Sequence, residues 1–183
     1  MDRKQLLEKI IAREAAMFIA VKASEPADCQ EMLKTFYLMR EMSHSVLAAD
    51  TLTSYLQDLE TAAAAGRNLM TEKYARMENL IPSLNENELI YKIVDIERKW
   101  LSEVHKKYPL TIAVEGGFTT YAVCELETYS DATLNLYYRD IFLAATQKLN
   151  LVEERYQYLY GNLGFKDLEE VEALAQKRAA VKE

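Results

Sequence analysis

Residues 51–77 read TLTSYLQDLETAAAAGRNLMTEKYARM, and residues 133–159 read TLNLYYRDIFLAATQKLNLVEERYQYL. At a constant offset of 82, ten of these 27 positions are identical, where unrelated segments would share roughly two. The matches include Tyr55/Tyr137, Asp58/Asp140, Asn68/Asn150, Glu72/Glu154 and Tyr74/Tyr156. Upstream, Lys9-Ile10 and Glu14 match Lys92-Ile93 and Glu97 at offset 83, and Thr35-Phe36 lines up with Thr120-Tyr121 at offset 85. The chain reads as one unit written twice.

That unit is helical. Leu7, Ile10, Ile11, Met17, Phe18 and Val21 fall at the i, i+3, i+4 spacing of an amphipathic helix over residues 3–22. A second helix is expected over 28–47 and a third over 50–65, the latter ended by Gly66 as a left-handed C′ residue. Asn68 is placed to cap a fourth. In the second half, Asn150-Leu151-Val152-Glu153 has the spacing of a capping box. Residues 107–119, with Pro109 and Gly116-Gly117, read as the one long loop. The two-residue connection before each capping asparagine forces its flanking helices to lie antiparallel. The expected fold is all-α: two pseudo-symmetric four-helix repeats (3–81 and 85–165) packed as one domain, 1–183. A charged C-terminal helix over 167–182 should lie loosely on its surface.

Composition narrows the function. Half of the 183 residues are apolar, and five glycines with three prolines are too few for the turns of an all-β domain. A net charge of −7 argues against a nucleic-acid or anionic-membrane surface. The longest apolar run, residues 15–21, is too short to span a bilayer, and the opening residues enter a helix with no signal-peptide pattern. Cys29 and Cys124 form no C-x-x-C pair, which suits a reducing cytoplasm. No glycine-rich phosphate loop, G-x-S-x-G or H-E-x-x-H occurs, so no cofactor is expected.

The informative residues are polar ones on apolar stripes. At 100° per residue Glu14 lies among Ile10, Ile11, Met17 and Phe18, and Glu97 among Ile93, Val94, Trp100 and Leu101. Arg40 shares the arc of Phe36, Met39 and Leu47, Lys73 that of Leu69, Met70 and Met77, and Arg155 takes the place of Lys73 in the second copy. Asp58 lies at a stripe edge beside Tyr55. A buried carboxylate must be paired, hydrogen-bonded or protonated. One account is an internal Glu–Lys or Glu–Arg pair in each repeat that fixes helix register. The other is a polar cavity where Glu14 and Glu97 approach each other, with Asp58, as acid, base or counter-charge. In that account Arg40, Arg67 and Lys73 hold a small anionic molecule, and Cys29, Gln30 and Tyr55 help to line its site. Arg40 is replaced by Glu125 in the second copy, which makes the first copy the favoured location. Glu41-Met42-Ser43-His44 has the E-x-x-H spacing of di-iron bundles, but the second copy has Tyr129 where the histidine would stand. The competing function is a non-catalytic interaction module, a homodimer or an accessory to a neighbouring enzyme, suggested by the small-residue run 62–65.

Several of these residues stand in motifs that resemble a known family. Cys29-Gln30, Thr35-Phe36 and Met39-Arg40 are followed by Ser54-Tyr55-Leu56-x-Asp58-Leu59. Then come Gly66-Arg67-Asn68-Leu69-x-Thr71-Glu72-Lys73-Tyr74-Ala75-Arg76-Met77. Together they resemble the bacterial "domain of unknown function 4125" family. The second half is similar more loosely, with Lys148-Leu149-Asn150 departing from a Gly-Arg-Asn pattern. The resemblance implies a cytosolic, bacterial, α-helical protein without implying an activity, and it picks out the same polar set as the geometry, in a candidate ligand site that also includes Asn68 and Tyr74.

Overall fold

A computed structural model describes residues 2–22, 29–114 and 116–181, with side chains at all of these except 22 and 29–32. Among the described residues there are nine helices and no strands. They are α1 (Arg3–Lys22), α2 (Cys29–His44), α3 (Ala49–Ala64), α4 (Leu69–Met77), α5 (Glu88–Lys107), α6 (Phe118–Leu126), α7 (Asp131–Thr146), α8 (Leu151–Asn162) and α9 (Leu168–Ala180).

The expected punctuation sets the helix ends. Gly66, at φ 69°, follows α3 in a Schellman turn, with Arg67 N–H donating to Ala62 O at 2.9 Å and Gly66 N–H to Ala63 O at 3.1 Å. After α7 the same turn forms around Lys148, a side-chain-bearing residue forced to φ 58°. That conformation costs an L-residue about 1 kcal/mol. Lys148 is exposed, so Lys148→Gly removes the strain without losing packing. It should raise the melting temperature by about 2–3 °C in a circular-dichroism melt. The Asn68 side chain accepts from Met70 N–H and Thr71 N–H, and its amide donates to Met17 O at 2.9 Å. Asn150 repeats the arrangement with Val152, Glu153 and Trp100 O. Only the asparagine half of the capping box forms there, because the Glu153 carboxylate accepts from Lys107 Nζ and Tyr108 OH instead.

Packing follows the two halves. α1 lies against α2, α3 and α4, and α5 against α6, α7 and α8. The halves interlock, with α2 on α8, α4 on α6, and α3 on α7. At the last of these contacts the Asp58 carboxylate accepts from Ser130 N–H (3.0 Å), just before α7, while the Asp140 carboxylate accepts from Ala48 N–H (2.9 Å), just before α3. One hydrophobic cluster runs through both halves, with Ile10, Leu52, Leu59, Ile90, Ile93, Leu134 and Ile141 fully enclosed. The C-terminal helix is held more firmly than its charge suggests. Leu168 is buried, and Glu172 accepts from Leu110 N–H (3.2 Å) and Thr111 Oγ1 (2.7 Å), tying α9 to the turn after α5.

Candidate functional site

The stripe geometry that singled out Glu14 has a literal outcome: its side chain, on α1, is 0% exposed. Arg40 on α2 meets it edge on, Nε donating to Oε2 at 2.9 Å and Nη2 to Oε1 at 2.6 Å. His44, one turn further along α2, places Nε2 3.1 Å from Oε1, and the Tyr55 hydroxyl on α3 donates to the same oxygen at 2.7 Å. The other edge of the Arg40 guanidinium faces Glu125 on α6, Nη1 to Oε2 at 3.0 Å and Nη2 to Oε1 at 2.8 Å. Lys73 on α4 donates to Glu125 Oε2 at 2.8 Å, with its ammonium 3.7 Å from the ring centroid of Tyr121. Arg40 thus bridges two carboxylates, one from each half, in the bidentate geometry that guanidinium favours.

A second, smaller cluster surrounds Glu97 on α5. Tyr137 OH on α7 donates to Glu97 Oε1 at 2.9 Å, and Arg155 Nη2 on α8 donates to that same oxygen at 2.8 Å. Arg155 Nη2 also lies 2.6 Å from the Tyr137 hydroxyl oxygen. Arg155 Nε is buried and has no hydrogen-bond partner among the described residues. The clusters are linked by a row of phenol rings, Tyr55 stacked on Tyr129 at 4.3 Å and Tyr129 edge-on to Tyr137 at 6.3 Å.

Burial works to raise the Glu14 pKa, but Arg40 and His44 outweigh it and hold the carboxyl at about 2. The Glu125 carboxyl, which burial would also raise, is held well below the usual range by Arg40 and Lys73. Burial pushes the phenols of Tyr55, Tyr129 and Tyr137 up. At neutral pH these carboxylates are ionised and these phenols protonated, an arrangement for fixed charge and hydrogen bonding rather than for proton transfer.

Beside the network lies a cavity of about 440 Å³, walled by α2, α5, α6 and α8 and by Tyr129 and Tyr137. Arg40, His44, Glu97, Glu125 and Arg155 reach its surface; most of the remaining wall is apolar, including Met39, Met42, Leu101 and Phe118. This is the size and mixture of a small-molecule pocket.

Of the residues singled out from sequence, Glu14, Arg40, Tyr55 and Lys73 come together in one network, and Glu97 joins across the tyrosine row. Glu14 lies behind Arg40 and His44, whereas Glu97 reaches the cavity wall. Asp58 serves the start of α7 instead. Arg67 is exposed and forms a two-pronged pair with Glu72 at 2.8 and 2.7 Å. Asn68 is a cap, and Tyr74 packs against the core with its ring 5.5 Å from Lys73 Nζ. Cys29 and Gln30 open α2, and their side chains lie outside the described residues. Glu41 accepts from Tyr158 OH at 2.6 Å while His44 turns to Glu14, so the E-x-x-H pair does not converge. Among the described residues no group of three His, Cys, Asp or Glu side chains could hold a metal ion.

Two members of the network were visible only in outline. His44 stands four residues after Arg40, hence on the same helix face, which is the signal for a shared partner. Glu125 was visible as a charge reversal, and the structure shows its consequence: it supplies the anion that Arg40 and Lys73 hold.

The chain is thus an all-α protein organised around a buried ion network. It belongs to the family described as Protein of unknown function (DUF4125), which matches residues 4–173. No curated protein and no solved structure matches it. No helix of the described residues is long and apolar enough to cross a membrane.

Proposed function

We propose that this protein binds a small molecule in the cavity beside Glu97 and Arg155, with the Glu14–Arg40–Glu125–Lys73 network as its fixed electrostatic wall. The observation that carries this reading is a cavity of about 440 Å³ with Arg155 on its wall, a cation whose buried Nε has no hydrogen-bond partner among the described residues. Leaving such a donor unpaired costs roughly 1–3 kcal/mol, and a ligand acceptor in the cavity gives the Arg155 guanidinium the further partner that the protein does not supply. Arg40 and Lys73 are filled by the protein's own carboxylates, so the acceptor group, such as a carboxylate or phosphate, belongs at Arg155. The depressed Glu14 and Glu125 fit the role of counter-charge better than acid or base.

The test is a thermal-shift screen against a metabolite panel. A true ligand at about a hundredfold excess over Kd should raise the melting temperature by roughly 5–10 °C. Arg155→Lys keeps a cation beside Glu97, with the residue type that position 73 holds in the first half, but removes the guanidinium. It should abolish the shift while the protein stays folded. A panel without a single stabilising compound would overturn the reading.

The symmetry of the contacts supports a duplicated four-helix unit folded as one domain. Exchange of halves turns α2·α8 into α6·α4 and maps the Asp58 bond onto the Asp140 bond. Buried, free Cys124 fits a reducing compartment. A homodimeric interaction module is the second reading, favoured by Phe142, Leu143 and Leu149, all about half exposed around the end of α7. Light scattering separates the two: a monomer at working concentration excludes the dimer.

A further inference from the structure

We infer that the cavity's ligand carries, next to the acceptor that meets Arg155, a cationic amine or guanidinium group that binds Glu97 Oε2 as Arg40 binds Glu14. This rests on the ligand-binding reading above and adds the chemical class of the ligand, an amino-acid-like zwitterion with an apolar body.

Glu14 and Glu97 stand at matching places in the two halves, yet their oxygens are served differently. Glu14 is satisfied on both oxygens, Oε2 by Arg40 Nε at 2.9 Å and Oε1 by Arg40 Nη2 at 2.6 Å and Tyr55 at 2.7 Å. Glu97 receives both its donors, Tyr137 and Arg155, on Oε1. Its Oε2 accepts no hydrogen bond among the described residues, although Glu97 is only 4% exposed. The missing donors can be named. At offset 85, Arg40 corresponds to Glu125 and His44 to Tyr129. Glu125 turns away to Arg40 and Lys73, and Tyr129 stacks on Tyr55. Glu97 therefore has Arg155 on Oε1 but no counterpart of Arg40 on Oε2, and it lies on the wall of the cavity.

The surroundings suit a cation. Glu125 adds a second carboxylate to the wall, a setting that stabilises an ammonium or guanidinium group. Charge balance selects a zwitterion over a bare cation. The carboxylates of Glu14, Glu97 and Glu125 stand against the three cations Arg40, Lys73 and Arg155, so a ligand bringing one charge of each sign leaves that three-to-three match unchanged. A volume of about 440 Å³ leaves room for an apolar side chain against Met39, Met42 and Leu101.

The experiment uses the full chain and four probes on one scaffold: phenylalanine, phenethylamine, 3-phenylpropionate and 3-phenylpropanol. Binding is read from the methionine methyl resonances of the cavity wall during titration to about 10 mM, where even fragment-sized ligands of a true pocket register. Phenylalanine should bind most tightly, and roughly tenfold more tightly than 3-phenylpropionate, which lacks the amine. In Glu97→Gln that advantage should vanish, while 3-phenylpropionate binding through Arg155 persists. Equal affinity of phenylalanine and 3-phenylpropionate for the wild type overturns the cation subsite and leaves the ligand-binding reading standing. No response to any of the four overturns both. The wild-type comparison decides the question even if Glu97→Gln folds poorly.

Discussion

Arg40→Met is expected to destabilise the protein by about 3–5 kcal/mol at neutral pH, because it strands a carboxylate that has no access to water. Arg40 is the only residue bonded to both Glu14 and Glu125 among those described, and it supplies two of the hydrogen bonds to a Glu14 side chain that is 0% exposed. Methionine fills much of the same volume, so the loss is electrostatic rather than a packing defect. The pH dependence tests that distinction. In the wild type the Glu14 pKa lies at about 2, below its unfolded value of 4.5. Its stabilisation is therefore fully present above about pH 4.5 and is lost as pH falls toward 2. Without Arg40, burial dominates and lifts the Glu14 pKa above the unfolded value, so the variant gains stability relative to wild type as the carboxyl protonates. Urea unfolding at pH 7 and at about pH 3.5 should show the gap between the proteins narrowing in acid. A gap of constant size would mean that Arg40 acts by packing alone.

The same residues show what can be read from a linear pattern. Glu14, Glu97, Arg40 and Lys73 were identified because helical periodicity fixes which way a side chain faces relative to its apolar neighbours. All four are buried, and the capping roles of Asn68 and Asn150 follow from equally local rules. Periodicity gives a direction but not a partner. Each repeat was expected to pair its own glutamate with its own Lys or Arg. Glu97 does so with Arg155, yet Lys73 reaches across to Glu125, because α4 packs on α6 of the other half. That crossing depends on how the halves interlock, which no window of one helix contains. Arg67 illustrates the opposite case. It follows the helix-ending Gly66, where a charge has open solvent beside it, and Glu72 at the start of the next helix lies within its reach. The orphaned Nε of Arg155 was invisible for a plainer reason: Lys73 and Arg155 occupy equivalent places, and only the three-dimensional surroundings show that one is saturated and the other is not.

Lys73→Met should cost about 2–4 kcal/mol, and the double variant Lys73→Met/Glu125→Met should recover most of that loss. Lys73 is 2% exposed, and its ammonium has Glu125 at 2.8 Å with the Tyr121 ring on another side. Removing it alone leaves three carboxylates, Glu14 and Glu97 buried and Glu125 partly so, facing two cations, with Glu125 dependent on an Arg40 that also serves Glu14. Glu125→Met alone produces the converse imbalance, with Lys73 enclosed and unpaired. Removing both returns the network to balance, since Arg40 and Glu14 keep their two direct bonds and Arg155 keeps Glu97. The two methionines fill the vacated space with apolar volume, a replacement that buried ion pairs often tolerate. A double-mutant cycle in urea should therefore give a coupling of about 2 kcal/mol or more between positions 73 and 125. Simple additivity of the two single losses would mean that the charges do not compensate one another. The electrostatic wall assigned to the cavity would then have to be redrawn around Arg155 and Glu97 alone.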